Sequence, residues 1–132
     1  MQGVAGPRQS DRMNIRRAMP VVRSGDLEAS RAFYVGFLGF DVGMDEEGFL
    51  MLRSSSTPTT QLIVATEDAA DQAVLQVDIS LEVADVDAVH AEARRLGLQI
   101  VYPLTDEPWG IRRFFLRDPD GLVLNVSSHV PV

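Results

Sequence analysis

The stretch Asp85-Val86-Asp87-Ala88-Val89-His90-Ala91-Glu92-Ala93-Arg94-Arg95-Leu96-Gly97 has a counterpart earlier in the chain, and the pairing decides the fold. Asp85 reads as an N-cap, with Asp87 in the first turn, where the helix dipole favours a carboxylate. Val86, Val89, Ala93 and Leu96 recur at helical spacing, and Gly97 stops the run where left-handed backbone is needed. Asp26 heads a similar segment, with Glu28 in its first turn, an apolar stripe of Leu27, Ala32, Phe33, Phe37 and Leu38, and Gly39 as terminator. Asp26 and Asp85 lie 59 residues apart and Gly39 and Gly97 lie 58 apart, so the chain repeats itself.

Working outward, strands are expected around the first helix at Ala18 to Arg23, Phe40 to Met44, Phe49 to Arg53 and Gln61 to Thr66. Pro20 marks the first of these as an edge or an irregular start. Around the second helix the strands are Val74 to Val83, Leu98 to Tyr102 and a hairpin spanning Arg113 to Val126. Thr105 to Trp109 reads as a loop leading into the hairpin. The hairpin turns at Asp118-Pro119-Asp120-Gly121, a type I turn sequence in which Pro119 presets φ and Asp118 can bond its own backbone. Each half is therefore β-α-β-β-β. One half alone cannot bury both its helix stripe and its sheet face, whereas two halves can. The expected fold is α+β, with two tandem modules forming a curved mixed sheet, helices outside and a concave interior. Residues 1–15 are expected to be a disordered tail and 16–132 one domain, with modules at about 18–66 and 74–129 and a polar linker from Glu67 to Ala73.

The composition narrows the chemistry. The chain has 132 residues, enough for one domain with a core. It has no cysteine, which excludes disulfides, thiolate nucleophiles and cysteine metal sites. All 12 basic residues are arginine, so lysine Schiff-base chemistry is excluded as well. The net charge of −7 argues against a nucleic-acid or anionic-membrane surface and would weakly attract cationic ligands. The basic start, with Arg8, Arg12, Arg16 and Arg17, reads as solvated chain rather than a binding arm. With no long apolar run and no signal-peptide pattern, a cytoplasmic protein is expected.

These motifs resemble those of the vicinal oxygen chelate superfamily, which includes glyoxalase I, extradiol dioxygenases, fosfomycin-resistance enzymes and bleomycin-binding resistance proteins. Ser24-Gly25-Asp26-Leu27-Glu28-Ala29-Ser30, with Phe33-Tyr34 and Leu38-Gly39-Phe40, looks like its first module. Ala84-Asp85-Val86-Asp87-Ala88 with Leu96-Gly97, and Pro108-Trp109-Gly110 leading to Phe115 through Gly121, look like the second. The resemblance runs from Met19 to His129. It implies that metal-dependent members place four ligands on the first and last strands of each module. Those positions here are Met19, Gln61, Asp78 and Asn125. A thioether, two amide carbonyls and one carboxylate are a poor set for zinc, iron or nickel, and one negative charge rarely offsets the dehydration of a divalent ion. A slip of two residues along a strand, which keeps the same face, offers Val21, Thr59 or Ile63, Gln76 or Ser80, and Val123, none a better donor. His90 falls mid-helix and His129 near the chain end, where packing or solvated roles are expected. Asp118 and Asp120 read as turn residues rather than a catalytic pair.

No metal or other cofactor is therefore expected. The Pro20-Val21-Val22 start resembles the metal-free bleomycin-resistance type, which implies a homodimer binding a small molecule. Antibiotic or toxin resistance by sequestration, with no bond made or broken, is one such role. The expected ligand-binding residues are Met19, Gln61, Asp78, Tyr102, Trp109, Phe115 and Asn125, and the ligand is expected to be cationic or aromatic. Asp78 is the candidate catalytic residue as a general base, unless it pairs with Arg23 or Arg112. The alternative function is a metal-free or metal-dependent lyase, isomerase or dioxygenase of the same superfamily.

Overall fold

The computed structural model describes residues 13–130, so positions 1–12 of the tail expected over 1–15 lie outside the described residues. Strand β1 (Ile15–Arg23) leads to helix α1 (Leu27–Arg31), which continues as a π-helical turn over Ala32–Phe37. Three strands follow: β2 (Asp41–Glu46), β3 (Phe49–Arg53) and β4 (Gln61–Ala65). The second half repeats the order with β5 (Ile79–Val83), α2 (Val86–Arg95), β6 (Ile100–Glu107), β7 (Ile111–Arg117) and β8 (Val123–His129). Both caps form as their residues dictate. The Asp26 carboxylate accepts from Ala29 N–H at 3.1 Å and the Asp85 carboxylate from Ala88 N–H at 3.2 Å. Both terminating glycines adopt positive φ, 86° at Gly39 and 70° at Gly97.

The eight strands form one curved sheet in the order β2-β3-β4-β1-β5-β8-β7-β6. Read from either outer edge inward, the two halves match. Within each module the first and last strands pair in parallel, β1 with β4 and β5 with β8, and the modules join where β1 meets β5 antiparallel. Strand alternation then sorts the core. Leu50, Leu52 and Val64 face α1 with Leu27, Tyr34 and Val35. Phe114, Leu116 and Val126 face α2 with Val86 and Ala93, and His90 lies edge-on to Phe114 at 4.9 Å. Met19, Val21, Ile63, Phe115 and Val123 point to the opposite, concave side.

Several elements differ from expectation. Ile15, placed in the tail by the sequence, begins β1 opposite Val83. Residues 74–78 are not strand: Gln72–Gln76 is a 3₁₀ helix and β5 starts at Ile79. In a 3₁₀ turn, residues three apart share a side. Val74 and Val77 accordingly drop together, with Ala69, onto the concave cluster. The linker is thus part of the core. Strand β6 runs on through Pro103 to Glu107, so the loop shrinks to Pro108–Gly110. Proline is tolerated there because β6 is a sheet edge and its register shifts between Tyr102 and Thr105. The turn at Asp118 forms as read: Asp118 O accepts from Gly121 N–H at 3.0 Å, and its carboxylate accepts from Asp120 and Leu122 N–H.

Candidate functional site

Two rows of side chains cross the middle of the concave face. In the first, Met19 lies opposite Ser80, Ser80 beside Asn125, and Asn125 opposite Phe115. Tyr102 on β6 extends this row by stacking on Phe115, with ring centres 4.4 Å apart. In the second, Arg17 lies opposite Glu82, Glu82 beside Ser127, and Ser127 opposite Arg113. The first row is largely apolar and the second is charged.

Asn125 is the polar member of the apolar row. It is 8% exposed, its Nδ2 donates to Ser80 Oγ at 2.8 Å, and its Oδ1 is buried without a hydrogen-bond partner. Turning the amide over would pair Oδ1 with Ser80 and leave Nδ2 alone, so one end of this side chain is unsatisfied either way. An unpaired buried polar atom costs about 1–3 kcal/mol. Such a cost marks a strain reservoir or a place where something else binds.

The charged row is knitted more tightly. Arg17 Nε donates to Glu82 Oε1 at 2.5 Å and its Nη1 to Gln61 Oε1 at 2.7 Å, which joins β1, β4 and β5. Glu82 Oε2 lies 3.5 Å from His129 Nε2, and the His129 side chain is 64% exposed. At the far end Arg113 is 4% exposed and forms a two-pronged bond to the Asp71 carboxylate, both contacts 2.8 Å. Its Nε donates to Glu107 at 2.8 Å, and Tyr102 Oη donates to the same carboxylate oxygen at 2.6 Å. Burial opposes the Arg113 charge, but the Asp71 bonds outweigh it, and the pKa is held above the ordinary arginine value. Its guanidinium lies 5.1–5.4 Å from the ring centres of Tyr102, Trp109 and Phe115. The cation those aromatic rings face is therefore the protein's own, while Trp109 keeps 52% of its surface exposed.

The structure brings Met19, Asn125, Phe115 and Tyr102 together, with Gln61 beside Arg17 and Trp109 at the rim over Arg113. Asp78 stands apart from them in chemistry. Its Oδ1 accepts from Arg23 at 3.1 Å and its Oδ2 from Val123 N–H at 2.9 Å. The Val123 bond foremost, and Arg23 after it, lower the Asp78 pKa against the opposing effect of burial. A lowered pKa weakens Asp78 as a proton acceptor, and its two bonds tie the end of β1 to the start of β8. Arg17, Glu82, Arg113, Asp71 and Ser127 were missed in the sequence. The signal for three of them was alternation: Arg17 lies two residues before Met19, Glu82 four after Asp78, and Ser127 two after Asn125.

The four positions do not fit a metal ion. Met19 is packed in the apolar cluster, the Gln61 carbonyl already accepts from Arg17, and both Asp78 oxygens are engaged. Among the described residues no three His, Asp or Glu side chains converge.

A family model described as the Glyoxalase/Bleomycin resistance protein/Dioxygenase superfamily matches residues 16–126. The chain belongs to this superfamily. A search of curated protein sequences gives no match. Among solved structures, a Streptomyces coelicolor methylmalonyl-CoA epimerase variant in complex with 2-nitronate-propionyl-CoA is similar, with 26% identity and a TM-score of 0.65 over 91% of this chain and 97% of that one. A Vibrio splendidus superfamily member has 17% identity and a TM-score of 0.63 over 87% and 99%. An extradiol ring-cleaving dioxygenase from B. fuscum has 23% identity and a TM-score of 0.65, covering 90% of this chain and 34% of that one. Solved structures with this fold thus include an epimerase and a dioxygenase, and the fold alone assigns no role.

Proposed function

We propose that this superfamily member binds a small molecule on the concave face without a metal, with Asn125 as its hydrogen-bonding floor. The observation that carries the reading is the buried, unpaired Asn125 Oδ1 at a position where metal-dependent relatives would use a ligand. An amide there supplies directional recognition and no charge for an ion. The open end beside it is polar, formed by Arg17, Glu82, Ser127 and His129, and the closed end is apolar, filled by the linker. A ligand would be held by hydrogen bonds at the first and by Trp109 at the rim, with no covalent step. Sequestration of a toxic compound is one use of such a site.

The test pairs stability with binding. Replacing both Asn125→Leu and Ser80→Ala removes the unsatisfied amide and its partner together, a change that is nearly neutral or stabilising for a hydrogen-bonded pair. The double variant is expected to unfold at or above the wild-type midpoint while losing the Trp109 fluorescence response to aromatic and cationic compounds. A large drop in stability with binding retained would overturn the reading. So would near-stoichiometric iron, zinc, nickel or manganese in protein purified without a metal-affinity tag. A second reading, a metal-free proton-transfer enzyme, is favoured by the His129–Glu82 approach of 3.5 Å. It requires turnover that His129→Ala abolishes.

A further inference from the structure

We propose that the segment from Glu67 to Val77 is a built-in occupant of the concave face, held there by the Asp71–Arg113 ion pair, and that the ligand is a small aromatic carboxylate that takes its place. The proposal rests on the concave-face reading and names the class of ligand. Residues three apart share a side in a 3₁₀ helix. Val74 N–H donates to Asp71 O at 3.2 Å and Val77 N–H to Val74 O at 3.1 Å. Asp71 accordingly meets Arg113 while Val74 and Val77 enter the concave cluster, so the segment offers the sheet one carboxylate and an apolar body. Asp71 stands at the N-cap position of that helix, but its side chain caps nothing and both of its oxygens go to Arg113. Other bonds of the segment are local: Ala69 N–H donates to Thr66 O, Asp68 N–H to Thr66 Oγ1, and Gln72 Nε2 to the Glu67 and Ala69 carbonyls. Arg23 Nη1 donates to Val77 O at 2.9 Å, which anchors the segment where it enters β5. Asp71 is the polar pin that closes the other part onto β7.

The surroundings of Arg113 select what can replace Asp71. The guanidinium is buried and faces three aromatic rings. A cationic ligand would meet this charge. A neutral one would leave it with Glu107 alone, and removing one partner of a buried ion pair is strongly unfavourable. A carboxylate exchanges for a carboxylate, so the guanidinium stays paired throughout, and the released Asp71, already partly exposed, passes into water. An aromatic body then covers the cluster from which Val74 withdraws. Asn125 supplies the second observation. Its Oδ1 is buried and unpaired while the segment is in place. Asn125 lies opposite Phe115 and Ser127 opposite Arg113, so the two positions are two residues apart along the strands. That is about 7 Å, within the reach of one small ligand. A ring N–H would give Asn125 the partner that the segment does not.

Amide-resolved NMR titration of the full chain tests it with indole-3-acetate, indole-3-acetamide and tryptamine, which share a ring and carry negative, no and positive charge. The acetate is expected to bind at least about tenfold tighter than either analogue, as a charge-assisted bond requires, and to shift Asp71, Val74 and the Trp109 indole N–H together. Asp71→Asn removes the competing charge, so it should tighten acetate binding at least about tenfold further and leave acetamide binding within about twofold. The acetate should also raise the urea midpoint of Asp71→Asn more than that of the wild type. Arg112→Gln, on the outer face, should leave the preference for the acetate intact. The proposal is overturned if the wild-type chain does not prefer the acetate, if Asp71 and Val74 do not respond, or if Asp71→Asn binds the acetate no tighter. Equal binding of all three probes, with shifts confined to Asn125 and Ser80, would refute the exchange while leaving the concave-face reading in place.

Discussion

Asp78 shows how a side chain can hold a place in a ligand pattern while both of its oxygens are bonded within the protein. Its strand position was legible from the repeat, but what bonds its oxygens was not, because Arg23 and Val123 reach it from 55 and 45 residues away. The pairing with Arg23 was one of the alternatives the sequence allowed, and the Val123 bond was invisible until β8 lay beside β5. These contacts make a pH prediction. The folded-state carboxyl titrates below its ordinary value of 3.8, so its stabilisation is complete above that value and is lost as pH falls through the lowered one. Asp78→Asn should be less stable than wild type in urea at neutral pH, with the gap closing as pH drops below 3.8. A gap constant with pH would show that the shape of Asp78, and not its charge, is what β1 and β8 need. Arg113 teaches the converse. Nothing local marks it as buried, since Arg112 and Arg113 are adjacent and alike; alternation sends Arg112 to Asp87 and Asp106 on the outside and Arg113 to Asp71 within.

At the scale of elements, local chemistry was read well where it is local and poorly where a partner element decides. Both N-caps, both terminating glycines and the Asp118 turn depend on residues within a few positions, and all form. The segment from Val74 to Val77 reads as strand because its valines are β-branched. It becomes 3₁₀ because that geometry puts two valines on one side, over a concave face that would otherwise be wet. The linker that precedes this segment explains Gly48, in the turn between β2 and β3. Its φ is +71°, and a Cβ there would lie 2.4 Å from Ala69 N and 2.5 Å from Asp68 C, backbone atoms that cannot swing away. Gly39 also has positive φ, +86°, but a Cβ there meets nothing within 4 Å. Gly48→Ala should therefore cost about 2–4 kcal/mol, strain plus collision, and Gly39→Ala about 1–2 kcal/mol, strain alone. Urea unfolding of the two variants checks the ordering, and equal losses would mean that the linker yields to Gly48.

For the whole molecule, the repeat was sufficient to deduce two modules and one curved sheet, but it could not say how much core they share. The concave cluster answers that. Met19, Val21 and Ile63 come from the first module, Val74, Val77, Phe115 and Val123 from the second, and Ala69 from the linker between them. Arg17 bridges Gln61 of the first module to Glu82 of the second, and Asp78 with Arg23 crosses the same junction. Separating the modules would expose this cluster on both halves and leave the Arg17 and Asp78 partners unpaired, so neither half has a reason to persist alone. The protein should then unfold in one step despite its internal duplication. Trp109 lies in the second module, so its fluorescence reports that half, whereas far-ultraviolet circular dichroism reports both. The two signals are expected to trace one urea transition with a common midpoint, and residues 74–129 expressed alone should give the dichroism of an unfolded chain. A Trp109 transition displaced from the dichroism curve, or a folded second module on its own, would mean that the shared cluster is a contact between two independent units and not a core.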